Sequence, residues 1–318
     1  MDASKFNNFK VGRYKFILSA LEDINFPQDR GSTLGGGFGI AFKNISCMHK
    51  IVNSCKECSS RDNCAYYYMF EKYLSKKPLD LHGLDEIPKS FVIEPPLDNK
   101  EDLKAGDKFE FVLILVGKAI EFLPYFIFTF RVLGETGIGK FKGRYELVQV
   151  VTDVGSDEKI IYDGKNKIIY DNYPVVNIPD YISKDDKKNF NSFNFITPTR
   201  IKYEESFVVK PDFHHIIRSL LNRLSALSLF HCDFELILDY SEIVEKSQKI
   251  IVKFRRMEWI DWERSSIKQK SKARMGGFLG NVVFDGDTKE FAQLLRLGEL
   301  VHVGRNCTFG LGKYQIVA

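Results

Sequence analysis

No run of eighteen apolar residues occurs in this 318-residue chain, and Met1 to Lys10 lacks the apolar stretch of a secretory leader, so the expectation is a cytoplasmic protein with no membrane partner. Net charge is also nearly absent. With 46 basic against 42 acidic residues the formal charge is +4, and a nucleic-acid surface must come from local clustering of Lys and Arg. Two nucleotide signatures are missing: GSTLGGGFG (31–39) does not end in Gly-Lys-Ser/Thr, and no glycine-rich loop spells G-x-G-x-x-G. The acidic pairs Asp233/Glu235 and Asp285/Asp287 are too loosely arranged for a metal-dependent nuclease, which needs clustered carboxylates. Histidine is scarce, with six in the chain, so each one is a separate question.

Cysteine is scarce too, but four of the six crowd together at Cys47, Cys55, Cys58 and Cys64. A reducing compartment argues against a disulfide framework, and Cys55-x2-Cys58 has the spacing that lets two sulfurs meet one tetrahedral ion. The readings are a structural zinc closed by four thiolates, an iron–sulfur cluster on the same ligands, or free thiols.

What is present is a strand and helix alternation. Strands are expected at Arg13–Leu18, from Phe91, at Lys108–Gly117 and at Arg144–Val151, with helices near Ile40–Ile45, after a glycine-rich turn, and over Ala119–Leu133. That order, strand-helix-strand-strand-helix-strand, is the ferredoxin-like split unit. A polar segment with a hairpin at Asp163-Gly164 follows, then a second series: a strand at Ile201–Val209, a helix from Pro211 to about Phe230, strands at Lys249–Phe254 and Gly280–Phe284, a helix to Leu297 and a strand at Lys313–Val317. GIGKFKGRYELV (137–148) and CTFGLGKYQIV (307–317) end the two halves alike, with a glycine loop, a base, a tyrosine and an alternating strand, as duplication of one unit would leave. The reading is an α+β protein of tandem ferredoxin-like domains: 1–151 with a Cys-rich insertion at about 46–90, a linker at 152–198, and 199–318 with a basic hairpin and a glycine-rich loop.

The basic hairpin carries Arg255, Arg256, Arg264, Lys268, Lys270, Lys272 and Arg274, the last four alternating as a strand face would, beside the only tryptophans, Trp259 and Trp262. The bland alternative is a solvated charged face. In the last loop Gly304, Arg305, Gly310, Gly312 and Lys313 offer backbone N–H groups and cations to RNA phosphate, or simply turn the chain.

W-x-x-W-E-R-x-S-x-x-Q (259–269), GGFLGNVVFDG (276–286) and LRLGELVHVGRNCTFGLGKYQI (295–316) resemble the C-terminal half of the CRISPR precursor-RNA processing endoribonucleases, the sixth Cas protein family of the RAMP superfamily. PQDRGSTLGGGFGIAFKNISC, CKECSSRDNCAYYYMFE, FVIEPPL and LVGKAIEFLPYFIFTFRVLGETGIGKFKGRYELV extend the resemblance over nearly the whole chain. It implies a role in antiviral defence: binding of CRISPR repeat RNA, and cleavage by an upstream ribose 2′-OH that leaves a 2′,3′-cyclic phosphate and needs no catalytic cofactor. It also implies CRISPR effector subunits as partners, with a monomer or homodimer as the assembly. The alternative is a non-catalytic RAMP subunit that holds guide RNA. The family's G-H-A histidine falls at Gly39-Ile40-Ala41, where this chain has Ile40, so the catalytic candidates become His49, with Lys43 near it, and Tyr14 on the first strand. His49 is equally a candidate for service to the cysteines. Of the others, one of His214 and His215 is expected to face solvent or RNA; His231 is expected to be structural, and His302 conformational or RNA-facing.

Overall fold

A computed structural model describes residues 3–27, 30–49, 54–72, 86–98, 100, 102–153, 158–184, 188–261, 263–266 and 271–317; in 263–266 and 271–274 only the backbone path is described. Lys268, Lys270, Trp262 and His82 lie outside the described residues. The chain forms two compact units that divide at Val176/Asn177. The first holds the described residues of Val11–Lys76 and Lys89–Val176. The second holds those of Asn177–Ala318 together with Met1–Lys10 and Lys77–Pro88.

In the first unit β1 (Val11–Ala20), α1 (Arg30–Ser46), β2 (Phe91–Glu94), β3 (Lys108–Val116), α2 (Leu123–Thr136) and β4 (Tyr145–Thr152) follow in the expected order, and β5 (Ile160–Asp163) and β6 (Ile168–Ile169) add the hairpin. The sheet runs β2-β3-β1-β4-β5-β6, antiparallel throughout. Alternation in β1 puts Tyr14, Phe16, Leu18 and Ala20 on the face that α1 and α2 cover. There Phe38 stacks on Phe126 and Phe130 at 5.0 and 4.8 Å, and Phe16 stacks on Phe111 at 4.8 Å. Each such ring contributes about 2–3 kcal/mol by leaving water.

The glycine-rich turn expected before α1 is instead part of that helix, which starts at Arg30. Close packing explains the override. A Cβ on Gly37 would stand 3.1 Å from Leu133 Cδ1, so small residues let α1 lie against α2, and tertiary packing outweighs the poor helix propensity of glycine.

The second unit repeats the order with α3 (Ile178–Ser183), β7 (Ser192–Thr199), the two-stranded β8 (Lys202–Tyr203) and β9 (Ser206–Phe207), α4 (Phe213–His231), α5 (Tyr240–Gln248), β10 (Ile251–Ile260), β11 (Glu263–Ser266), β12 (Ser271–Arg274), β13 (Gly277–Asp285), α6 (Ala292–Val301) and β14 (Tyr314–Val317). Its main sheet, β10-β13-β7-β14, has the strand order of β2-β3-β1-β4. One expected element moves. The first strand of this unit is Ser192–Thr199, not Ile201–Val209: it buries Phe193 and Phe195 on the α4 and α6 face, whereas 202–207 is the small β8–β9 hairpin.

The duplicated endings are alike in atomic detail. Tyr145, opening β4, donates its hydroxyl to Phe130 O at 2.7 Å, and Tyr314, opening β14, donates to Leu295 O at 2.6 Å. Both phenols are buried, which pushes their ionisation well up, and both sit over a helix glycine: Cβ atoms on Gly134 and Gly298 would collide with the Tyr145 and Tyr314 rings or hydroxyls. Among the described residues no helix is long and apolar enough to cross a membrane.

Candidate functional site

The end of α1 and the two short turns that follow gather the cysteines. Cys47 N–H donates to Lys43 O, Cys58 N–H to Cys55 O and Cys64 N–H to Arg61 O, and these turns bring all four cysteines with Lys43, His49 and Arg61 onto the wall of one cavity of about 20 Å³. His49 is exposed and its Nε2 lies 3.0 Å from Ser60 Oγ; the Lys43 ammonium sits 5.4 Å above the Tyr66 ring. The structure thus brings His49 and Lys43 together, and places both among the cysteines. Tyr14 is removed from the candidates. Its hydroxyl donates to Pro174 O at 3.3 Å inside the core, and burial raises its pKa, because β1 alternation points it at the helices.

A second cluster stands at the start of α4. Asp212 caps the helix, and the third residue in, His215, reciprocates: its Nδ1 accepts the Asp212 N–H at 2.9 Å. An accepting Nδ1 fixes the neutral ring with its proton on Nε2. The His214 ring lies 4.0 Å from that of His215, both lean on the Tyr203 ring, at 5.7 and 4.7 Å, and Arg218 covers Tyr203 at 5.2 Å. Burial, then His214, and the guanidinium charges of Arg218 and Arg255 hold His215 down at about 4; burial first, with Arg218, also lowers His214. Both imidazoles are therefore neutral at pH 7. Among the described residues the ring nitrogens of His214 carry no hydrogen bond, and the residue is half-buried.

Asp212, His214 and His215 bring three donor atoms within 4.8 Å of one another, the only such group among the described residues. It suits a cation poorly. Arg255 Nη2 already donates to Asp212 Oδ1 at 2.9 Å, His215 Nδ1 serves the cap, and two guanidinium charges stand by.

Depressed ionisation has a measurable consequence. The folded state binds fewer protons than the unfolded chain between His215's folded value of about 4 and its ordinary 6.5, so this contribution is complete above pH 6.5 and is lost as pH falls through that window. His215→Gln keeps a cap acceptor without a titrating ring. Urea denaturation of the full chain at pH 7 and pH 5 should show wild type losing about 1–2 kcal/mol more than the variant on acidification. Equal losses would mean that His215 is not held neutral by the fold.

The other expected RNA contacts divide. Arg256 is exposed on β10, but Arg255 is spent on α4, donating to Asp212 and to Pro211 O at 2.7 Å. In the β11–β12 ladder Lys272 pairs with Ser265, Arg274 with Glu263 and Arg264 with Ala273, which places these residues on the hairpin. The glycine loop corrects the expectation of a phosphate cradle. Gly310 and Gly312 are buried and donate inward, Gly312 to Pro198 O at 3.1 Å and Gly310 to Cys307 O at 2.8 Å; Arg305 N–H is taken by Arg200 O and Lys313 N–H by Thr197 Oγ1. The loop ties β14 to β7. Gly304 and the side chains of Arg305 and Lys313 stay half-buried at its edge. His302 is buried with Nδ1 donating to Leu311 O, so it does not face RNA, and His231 donates to Pro88 O.

Sequence reasoning missed Tyr203, Arg218 and Asp212 as site residues. The Pro-Asp-Phe-His-His start of α4 was the available signal, an N-cap with its partner three residues on.

The family model for the CRISPR-associated endoribonuclease Cas6 matches residues 193–314, which include the whole α4 cluster, and an N-terminal domain model, AF_1859_N, matches residues 9–173. Residues 193–314 therefore carry a CRISPR-associated Cas6-type endoribonuclease domain. Its fold is that of solved Cas6 structures. Thermus thermophilus Cas6 matches at 16% identity and a TM-score of 0.54, covering 97% of this chain and 99% of that one. A Cas6 product complex matches at 15% identity and a TM-score of 0.58, covering 96% and 100%. An uncharacterized protein of Archaeoglobus fulgidus is 22% identical over 305 residues, 92% of this chain and 93% of its own length. Ile40 stands 46% exposed on α1 of this Cas6-type chain, so the site that family resemblance assigns to histidine carries no proton-transfer group.

Proposed function

We propose that this chain binds the repeat of a precursor CRISPR transcript and cuts it by 2′-OH transesterification, with His214 as the base and no metal in the chemical step. The ribose 2′-OH gives its proton to His214, the new O2′–P bond forms, the P–O5′ bond breaks, and the departing O5′ takes a proton from water, leaving a 2′,3′-cyclic phosphate. One observation carries the reading: within the segment matched by the Cas6 model, an imidazole neutral at pH 7 carries no hydrogen bond among the described residues and stands beside a guanidinium and an aromatic ring. Arg218 would meet the charge that develops on phosphorus, and Tyr203 offers a face for a base. Arg256 and the β11–β12 hairpin, with Arg264, Lys272 and Arg274, would hold the phosphate backbone.

A second reading has support in Ile40: a subunit that binds guide RNA, alone or with other CRISPR effector proteins, and does not cut it. One assay separates them. Incubated with RNA of its cognate repeat in excess EDTA, the purified protein should cut once per repeat and leave a cyclic-phosphate end. Tight binding without cutting would favour the second reading, and cutting only after Mg²⁺ is added would overturn the metal-free step.

A further inference from the structure

We propose that Cys47, Cys55, Cys58 and Cys64 bind one structural zinc ion that fastens the segment after α1 to the end of that helix. The site is independent of the cleavage reading. Four soft donors come from the end of α1 and the two short turns of 54–64, neither of which holds a fully buried residue, although Cys55 and Cys64 rest against the core. All four sulfur-bearing residues nevertheless line one cavity. Cys47 and Cys58 are not among the core-packed residues, and as free thiols they would stand partly exposed to oxidation.

The cavity of about 20 Å³ is room for one ion or water between the four cysteines. Charge suits a thiolate-bound ion. Zinc with four thiolates carries two net negative charges, and two cations, Lys43 and Arg61, stand on the same wall. No three of the four sulfurs lie within 4.8 Å of one another, whereas a tetrahedral site with bonds of about 2.3 Å needs closer approach, so binding draws the turns together and its free energy becomes folding free energy.

Elemental analysis of the purified full-length protein should find one zinc per chain. Cobalt(II) added to chelator-treated protein should give the intense visible bands of a tetrahedral site together with near-ultraviolet thiolate charge transfer. The Cys55→Ser, Cys58→Ser double variant should lose the zinc and melt on the order of 5–10 °C lower. Should that variant prove insoluble, the wild-type zinc content and cobalt spectrum still decide the matter. His49→Ala should keep its full zinc, since the four thiolates close the coordination shell. A wild type that is metal-free and loses no stability on chelation, iron in place of zinc, or zinc lost from His49→Ala would each overturn the proposal.

Discussion

Under single-turnover conditions at pH 7.5, His214→Ala should cut repeat RNA at least about a hundredfold more slowly than wild type while binding it nearly as tightly. The imidazole caps nothing and makes ring contacts with Tyr203 and His215 but no hydrogen bond among the described residues, so its loss removes a proton acceptor and little packing. The pH dependence distinguishes a base from a structural residue. Burial and Arg218 lower the His214 pKa, so the wild-type rate should climb with pH below the ordinary histidine value and level off near neutrality; the variant should lose that limb. A repeat with a 2′-deoxy sugar upstream of the scissile bond should be cut by neither protein. Cutting of that substrate would end the transesterification reading, and a wild-type rate in His214→Ala would end the role of this residue.

His215→Gln separates the two histidines. Its ring is committed to the cap through Nδ1, so it acts on His214 by contact and position, and the glutamine variant should keep a larger share of the rate than His214→Ala keeps.

The fold was legible because its periodic signals are long and concordant. β1 and β3 read as strands from their alternation, α2 and α4 from proline at their starts, and the second series of elements repeated the first. The errors share one physical origin. Glycine-rich sequence reads as a turn by local propensity, but in α1 the glycines are there to let a second helix approach, and in the last loop they let backbone lie on backbone. Neither fact is local. The first strand of the second unit was missed because SFNFITPT alternates only over a short stretch and holds a proline, whereas Phe193 and Phe195 gain their meaning from α4 and α6.

The site was less legible for the same reason. The cysteine spacing showed itself in sequence because its ligands are close along the chain. Tyr203, His214 and Arg218 meet only because the β8–β9 hairpin folds against the start of α4. His49 attracted attention by its position after the first helix, and the structure sets it beside thiols; Tyr14 drew the same notice, and its alternating strand buries it.

Backbone packing in the last loop gives the largest expected effect on stability. Gly312→Ala should destabilise the protein by about 3 kcal/mol or more, and Gly106→Ala by only about 1 kcal/mol, although both glycines have positive φ, +77° and +93°. The shared conformational penalty is the smaller part. A Cβ at Gly106 meets nothing within 4 Å, whereas one at Gly312 would lie 1.9 Å from Val303 O, an approach that backbone must move to relieve. That movement breaks two bonds, Val303 N–H to Gly312 O at 3.0 Å and Gly312 N–H to Pro198 O at 3.1 Å, which fasten the loop before β14 to the end of α6 and to β7. Urea denaturation of the two variants against wild type checks the difference. Equal destabilisation would mean that the loop relaxes freely and that its glycines serve something other than backbone packing.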